Sequence, residues 1–184
     1  EGSYLFCKET NCIEVLKRKV AYLASKKCFN IVGLGKSIVD NVVSSNIIKD
    51  IPDVFSLKKN KLLELEGLGE KLAENLILEI NNKKTIPLAK FISSLGIRHV
   101  GENISNLLAK NFVNIDKISS AKENQIESVD GIGTEIAKSV VEYFSVNKNK
   151  EEIKTMLDSG IKISKDSLIE GDKFLGKSIC ITGK

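Results

Sequence analysis

A five-residue glycine motif occurs four times in this chain. Its copies are residues 31–35 (IVGLG), 65–69 (LEGLG), 97–101 (IRHVG) and 129–133 (VDGIG), named here hairpins 1 to 4. Where two glycines flank one apolar residue, the backbone takes positive φ without a Cβ clash, and we expect this at both glycines, including Gly133. Consecutive N–H groups then point outward together. A helix starting at the turn adds its dipole and unpaired N–H groups, and together these groups can bind a phosphate.

The sequence around the hairpins repeats in register. The final glycines stand at positions 35, 69, 101 and 133, and apolar or small residues recur three, four and seven places after each. Those three places form one face of a helix. Segments with helical periodicity also precede the hairpins, at 13–27, 60–65, 88–95 and 122–128, and a last helix is predicted at 150–158 with Gly160 as its stop. The predicted fold is therefore mainly α, with four tandem helix-hairpin-helix units, and its only predicted strand is at 177–182.

One glycine turn is weak evidence for phosphate binding, but four copies in register are much stronger. Backbone donors read no base, so the repeat predicts sequence-independent binding to a nucleic-acid backbone. Lys36, Lys71 and Lys138 follow the final glycines by a few residues and could support such contacts, or they could be ordinary solvated lysines. The predicted nucleic-acid-binding residues are Gly33, Gly35, Lys36, Gly67, Gly69, Lys71, Arg98, His99, Gly101, Gly131, Gly133 and Lys138.

Hairpin 3 departs from the pattern. His99 stands where the other copies have their first glycine, and Arg98 precedes it. A side chain at this position predicts a hairpin with a different backbone. Two interpretations remain open: His99 caps the turn with its side chain, or Arg98 and His99 contact DNA directly. No second histidine exists to support a His-based catalytic pair.

The cysteines restrict metal chemistry. Cys7 and Cys12 form one Cys-x4-Cys pair, whereas a four-ligand zinc site needs two pairs. Two thiolates leave half of the tetrahedron to water, so we expect this chain alone not to hold zinc. Cys28 and Cys180 are interpreted as small apolar residues.

Composition predicts a compact chain and excludes few functions. Of 184 residues, 42% are hydrophobic and 28% charged, which is not the composition of a disordered chain. The net charge of +4 decides nothing about partners. No apolar run approaches the length of a membrane span, and the N-terminal residues lack the apolar core of a signal peptide. We therefore expect a cytoplasmic protein without a membrane partner.

The tandem array, with the runs 94–102 (SLGIRHVGE) and 29–35 (FNIVGLG), resembles the C-terminal half of bacterial NAD-dependent DNA ligase over nearly the whole chain. In that family a four-cysteine zinc finger precedes four helix-hairpin-helix units, and a BRCT domain follows them. The resemblance makes Cys7 and Cys12 the second cysteine pair of that finger. The implied organisation is residues 1–12 as the second half of the finger, 13–160 as the tandem helix-hairpin-helix domain, 161–175 as a charged linker and 176–184 as the first BRCT strand.

The resemblance also implies an activity for a longer parent protein. That family seals nicks between 5′-phosphate and 3′-hydroxyl in duplex DNA, with NAD, Mg²⁺ and a lysine in a Lys-x-Asp-Gly motif. In this chain the Asp-Gly pair is Asp130-Gly131, and Ser128 occupies the place of the lysine. The sites for NAD and Mg²⁺ are therefore expected outside this chain, which should be inactive alone. Its expected part is to clamp nicked duplex DNA, as a monomer associated with the bacterial nucleoid.

Two alternatives remain at this point. One is a stand-alone helix-hairpin-helix accessory protein of repair or recombination with no enzymatic activity. The other is a purely structural helical repeat whose turns bind nothing. The incomplete finger and the incomplete BRCT domain implied at the two ends favour the ligase.

Overall fold

Helices dominate residues 12–164, the part of the chain that the structure, a computed structural model, describes. The elements in chain order are α1 (Ile13–Ala24), α2 (Lys36–Ser44), a 3₁₀ helix (Ile51–Ser56), α3 (Lys59–Leu63), α4 (Glu70–Asn82), β1 (Thr85–Pro87), α5 (Leu88–Ser94), α6 (Glu102–Phe112), α7 (Ile115–Ser120), α8 (Glu123–Glu127), α9 (Thr134–Ser145), α10 (Asn147–Asp158) and β2 (Lys162–Ser164). The predicted mainly α fold is confirmed, and each hairpin joins two helices. None of the helices in this part of the chain is long and apolar enough to span a membrane.

The helix after each hairpin packs by the face that the repeat predicts. The residues four and seven places after the final glycine are buried in all four units: Val39, Val42, Ala73, Leu76, Ser105, Leu108, Ala137 and Val140. The polar member, Ser105, accepts a hydrogen bond from the hydroxyl of Ser93 in α5 at 2.9 Å. A buried hydroxyl with a partner avoids the cost of an unsatisfied polar group, so serine is tolerated in this core position.

Short helices connect the units and were not predicted. The 3₁₀ helix joins units 1 and 2, and the N–H groups of Lys49 and Asp50 donate to the Asp53 carboxylate at 2.8 and 3.1 Å to start it. The helix α7 joins units 3 and 4 and is capped by Asn114, which accepts from the N–H of Lys117 at 2.8 Å. Helix α10 packs against both α9 and the 3₁₀ helix, so it ties the two halves of the domain together.

The C-terminal end of the domain differs from the prediction. Strand β2 pairs in parallel with β1, with Ile163 opposite Ile86, and Ile161 is buried. The predicted linker at 161–175 therefore starts too early, because residues 161–164 belong to the packed domain. Three-residue strands carry no detectable alternation in sequence, which explains the error. The remaining linker, the predicted strand at 177–182 and residues 1–11 lie outside the described part.

Candidate nucleic-acid interface

All four hairpins share one turn. The N–H of the fourth residue donates to the carbonyl of the first, with N···O distances of 3.4, 3.3, 3.0 and 3.0 Å in hairpins 1 to 4. The third residue has a φ of +96°, +80°, +63° and +87° in the same order. A positive φ at this place is the mark of a type II turn. The apolar fourth residue is buried in every copy and anchors the turn in the core.

The final glycines do not have the positive φ that we expect from the sequence. Gly133 has φ −87° and ψ 168°, and Gly35, Gly69 and Gly101 have φ of −79°, −74° and −96°. Each is the N-cap residue of the helix that follows, and an N-cap residue has extended backbone. One left-handed residue suffices to close the turn, so the second glycine is free to start the helix.

The structure gives no internal reason for glycine at these four N-caps. A Cβ at Gly35, Gly69, Gly101 or Gly133 would meet no heavy atom within 4 Å. Ser, Thr, Asp or Asn would cap a helix better, because their side chains accept a hydrogen bond from its first turn. Among residues 12–164, no side chain accepts a capping hydrogen bond from the first turn at these four helix starts. The glycines thus keep open the space in front of four helix N-termini.

The prediction of a different backbone for hairpin 3 is wrong. His99 adopts φ +63°, and the N–H of Val100 still donates to the carbonyl of Ile97 at 3.0 Å. Ile97 and Val100, the first and fourth residues of this turn, are both buried. Histidine is also among the side chains that enter the left-handed region most readily. Packing of Ile97 and Val100 therefore outweighs the strain at His99.

The predicted basic residues are exposed at the hairpins. Lys36 and Lys71 lie in the first turns of α2 and α4, and Lys138 lies one turn into α9, where its ammonium is 3.9 Å from a Glu135 carboxylate oxygen. Arg98 and His99 are both exposed at the tip of hairpin 3. These placements are compatible with the predicted contacts, and the contacts themselves stay a prediction.

A groove of about 460 Å³ lies between the tip of hairpin 3 and helix α9. Its lining residues are Arg98, His99, Glu135, Lys138, Ser139, Glu142, Tyr143 and Val146. Burial raises the pKa of Tyr143, so its hydroxyl stays neutral. The groove brings three of the predicted site residues together from two different units, which spacing within one repeat could not reveal.

The tip of hairpin 1 is occupied by a side chain from unit 2. The N–H of Val32 donates to a carboxylate oxygen of Glu79 in α4 at 3.3 Å. The same carboxylate lies 3.6 Å from the ammonium of Lys83. The side chain of Val32 is exposed, at 69%. Sequence reasoning missed Glu79, because it belongs to another unit and nothing in the pattern of α4 marks it.

The cysteines carry no defined metal site in the described residues. Cys12 is the N-cap of α1, and Cys7 lies outside this part. Within residues 12–164, no group of three or more His, Cys, Asp or Glu side chains could hold a metal ion. Cys28 is 2% exposed, and burial raises the pKa of its thiol to about 11, which fits the predicted role as a small apolar residue. The expectation that Cys7 and Cys12 do not hold zinc in this chain alone stays a prediction.

Comparison with known families agrees with the repeat. Residues 29–82 match a SAM-like helix-hairpin-helix tandem, and residues 90–153 match a helix-hairpin-helix motif. The first match contains hairpins 1 and 2, and the second contains hairpins 3 and 4. The domain therefore consists of two tandem pairs, named here the first pair and the second pair.

Curated relatives named DNA ligase align with almost the entire chain. The DNA ligase of Thermosipho africanus is 37% identical over 179 residues, which are 97% of this chain and 27% of that protein. Those of Phocaeicola vulgatus and Methylacidiphilum infernorum are each 34% identical over 100% of this chain and 28% and 27% of their own lengths. The chain matches the tandem helix-hairpin-helix region of DNA ligases. This region spans little more than a quarter of the length of those relatives.

Proposed function

We propose that this helix-hairpin-helix region is the DNA-clamping part of a DNA ligase that seals nicks in duplex DNA. The observation that carries the proposal is the set of four N-cap glycines with open space before them. Glycine there weakens the helix cap but lets a phosphate approach the backbone closely. The DNA ligase relatives, which align with nearly the whole chain, favour this function over a stand-alone accessory protein.

In the proposed complex, each hairpin whose tip N–H groups have no side-chain acceptor offers them to a phosphate, and the helix dipole behind it adds a favourable field. The contacts read no base, so the region would bind any sequence. The proposed contact residues beyond hairpin 1 are Gly67, Gly69, Lys71, Arg98, His99, Gly101, Gly131, Gly133 and Lys138. Hairpin 1, with Gly33, Gly35 and Lys36, has the same backbone, but its Val32 N–H already donates to the Glu79 carboxylate.

Hairpin 3 would add contacts from side chains. A histidine at φ +63° is strained relative to glycine by about 1 kcal/mol or more. The shared turn imposes this φ, and it leaves the imidazole exposed at the tip of the hairpin. His99 and Arg98 are exposed and line the groove, so both side chains are available to contact a DNA backbone.

The chemistry of ligation would lie in other parts of a longer protein. There NAD would supply the AMP group, and Mg²⁺ would stabilise the charge of the reacting phosphates. Zinc, if bound, would use Cys7 and Cys12 together with a second pair of ligands. The part of this chain is to bind and orient nicked duplex as a monomer.

Salt dependence tests the proposal. If the hairpins and basic side chains neutralise on the order of 4 to 6 phosphates, log K should fall against log[salt] with a slope of about −4 to −5. Fluorescence anisotropy with labelled nicked and intact duplexes of several sequences measures this slope. Sequence should make no difference to the result. A slope near zero would rule out phosphate binding by the hairpins.

A further inference from the structure

The two pairs place different groups at equivalent positions. In the first pair, the tip of hairpin 1 faces Glu79, which lies ten residues after the final glycine of hairpin 2. In the second pair, the tip of hairpin 3 faces the groove on α9, where Tyr143 lies ten residues after the final glycine of hairpin 4. A carboxylate in one pair therefore corresponds to a neutral phenol in the other.

Glu79 is held at hairpin 1 from two sides. One oxygen accepts the Val32 N–H at 3.3 Å, and the Lys83 ammonium lies 3.6 Å from the same oxygen. The Glu79 side chain is only 24% exposed, which restricts the positions it can adopt. By contrast, the tip N–H groups of hairpins 2, 3 and 4 have no hydrogen-bonded side-chain acceptor among residues 12–164.

The position of this carboxylate has two effects on an incoming anion. It uses one N–H donor at the tip of hairpin 1, and it places a carboxylate, paired with Lys83, where the other hairpins have no side-chain acceptor. Glu66 and Asp130 also lie at hairpin tips, but they are exposed and can turn away from a phosphate. Glu79 differs from them, because its carboxylate must release the Val32 N–H before it can turn away.

We propose that Glu79 closes hairpin 1 to DNA phosphates, so that this chain grips duplex DNA through hairpins 2, 3 and 4. Glu79 is thus a specificity-determining residue, because it decides which of four equivalent backbones can bind. The inference rests on the proposed function and adds to it which of the four hairpins bind phosphate. Neutralising Glu79 should convert hairpin 1 into a further phosphate site.

The test is a titration of the ¹⁵N-labelled chain with a short nicked duplex, followed by amide NMR, because each hairpin then reports separately. In the unmodified chain, the amides of hairpins 2 to 4 should shift, and those of Val32, Gly33 and Gly35 should not. In Glu79→Gln the amides of hairpin 1 should shift as well. The salt slope of binding should steepen by about 0.9, the value for one additional phosphate.

Glu74→Gln is the matched control. Glu74 lies on the same helix and is exposed, and its carboxylate is 3.8 Å from the Lys59 ammonium, away from hairpin 1. The substitution removes the same charge, so any general electrostatic gain appears in both variants. In Glu74→Gln the hairpin 1 amides should stay unshifted. Equal shifts in the two variants would show a general charge effect and overturn the role of Glu79.

The remaining outcomes separate the two proposals. If hairpin 1 of the unmodified chain shifts as strongly as the others, Glu79 does not close it, while DNA binding by the region stands. If hairpin 1 stays unshifted in a folded Glu79→Gln variant, the inference is likewise overturned. If no hairpin shifts in any variant, the proposed function fails and the inference fails with it.

Discussion

The first and second pairs have the same hairpin backbone and different surfaces. Hairpin 1 meets a carboxylate from the neighbouring unit, whereas hairpin 3 borders a groove of about 460 Å³ with exposed Arg98 and His99. The turn hydrogen bonds and the positive φ values nevertheless agree in all four copies. The repeat therefore fixes the hairpin backbone, while side chains from the other unit of each pair give the hairpin tips different neighbours.

Substitutions at the left-handed glycines should give the largest change, and the change should differ between hairpins 4 and 2. At Gly131 a Cβ would lie 3.0 Å from the Cδ1 of Leu107 and at φ +87°, whereas at Gly67 φ is +80° and the space is open. Gly131→Ala should lower the free energy of unfolding by about 2 to 3 kcal/mol, and Gly67→Ala by about 1 to 2 kcal/mol. Urea unfolding measures both. Equal losses would mean that hairpin 4 is not more tightly packed than hairpin 2.

Side chains at the second position of hairpins 3 and 1 should differ in their effect on DNA binding. Arg98→Ala removes an exposed guanidinium beside the groove and should weaken duplex binding about threefold to tenfold, with a salt slope shallower by about 0.9. Val32→Ala trims an exposed apolar side chain and should leave both quantities unchanged. Anisotropy titrations on the two variants make the comparison. If Val32→Ala weakens duplex binding more than Arg98→Ala does, hairpin 1 and not hairpin 3 makes the larger side-chain contribution to binding.

The smallest of these changes is expected at His99, and it separates the two interpretations of that residue. If His99 contacts DNA, His99→Gly relieves the strain at φ +63° and should raise the free energy of unfolding by about 0.5 kcal/mol while weakening duplex binding. If the imidazole caps the turn instead, the variant should lose stability. Thermal melting and anisotropy on the same samples distinguish these outcomes.

Much of the fold follows from helical periodicity in the sequence. The faces of α2, α4, α6 and α9 are predicted by the residues four and seven places after the glycines, which are buried in every unit. The residue three places after is half-buried in α2, α6 and α9, and in α4 it is the exposed Leu72. Elements that show no such periodicity cannot be predicted in this way. The 3₁₀ helix and α7 lie between the repeated units, where no copy in register marks them. Strands β1 and β2 have three residues each and meet only after the chain has passed through units 3 and 4.

The location of the hairpins is predictable from the sequence, and their detail is less so. The repeat identifies the hairpins, but it does not tell which glycine of each pair is left-handed, so the expectation for Gly133 is wrong and that role belongs to Gly131. It also cannot show that Val100 and Ile97 hold His99 in the shared turn. Contacts between units, such as Val32 with Glu79, depend on tertiary packing and leave no local signal.

The proposed function requires the N-cap glycines to serve a phosphate and not the fold. Gly133→Asp is the sharpest test of this requirement, with Gly35→Asp in hairpin 1 as its counterpart. Both positions have extended backbone and open space, and an aspartate N-cap should stabilise each helix by about 0.5 kcal/mol.

The measurement is the dissociation constant for nicked duplex, taken on samples whose melting temperatures show them to be folded. A carboxylate about 4 Å from a phosphate costs about 1 kcal/mol or more, so Gly133→Asp should bind about tenfold more weakly despite its greater stability. Gly35→Asp should bind as the unmodified chain does. If folded Gly133→Asp keeps the affinity of the unmodified chain, the hairpins are only helix connectors and DNA is held elsewhere.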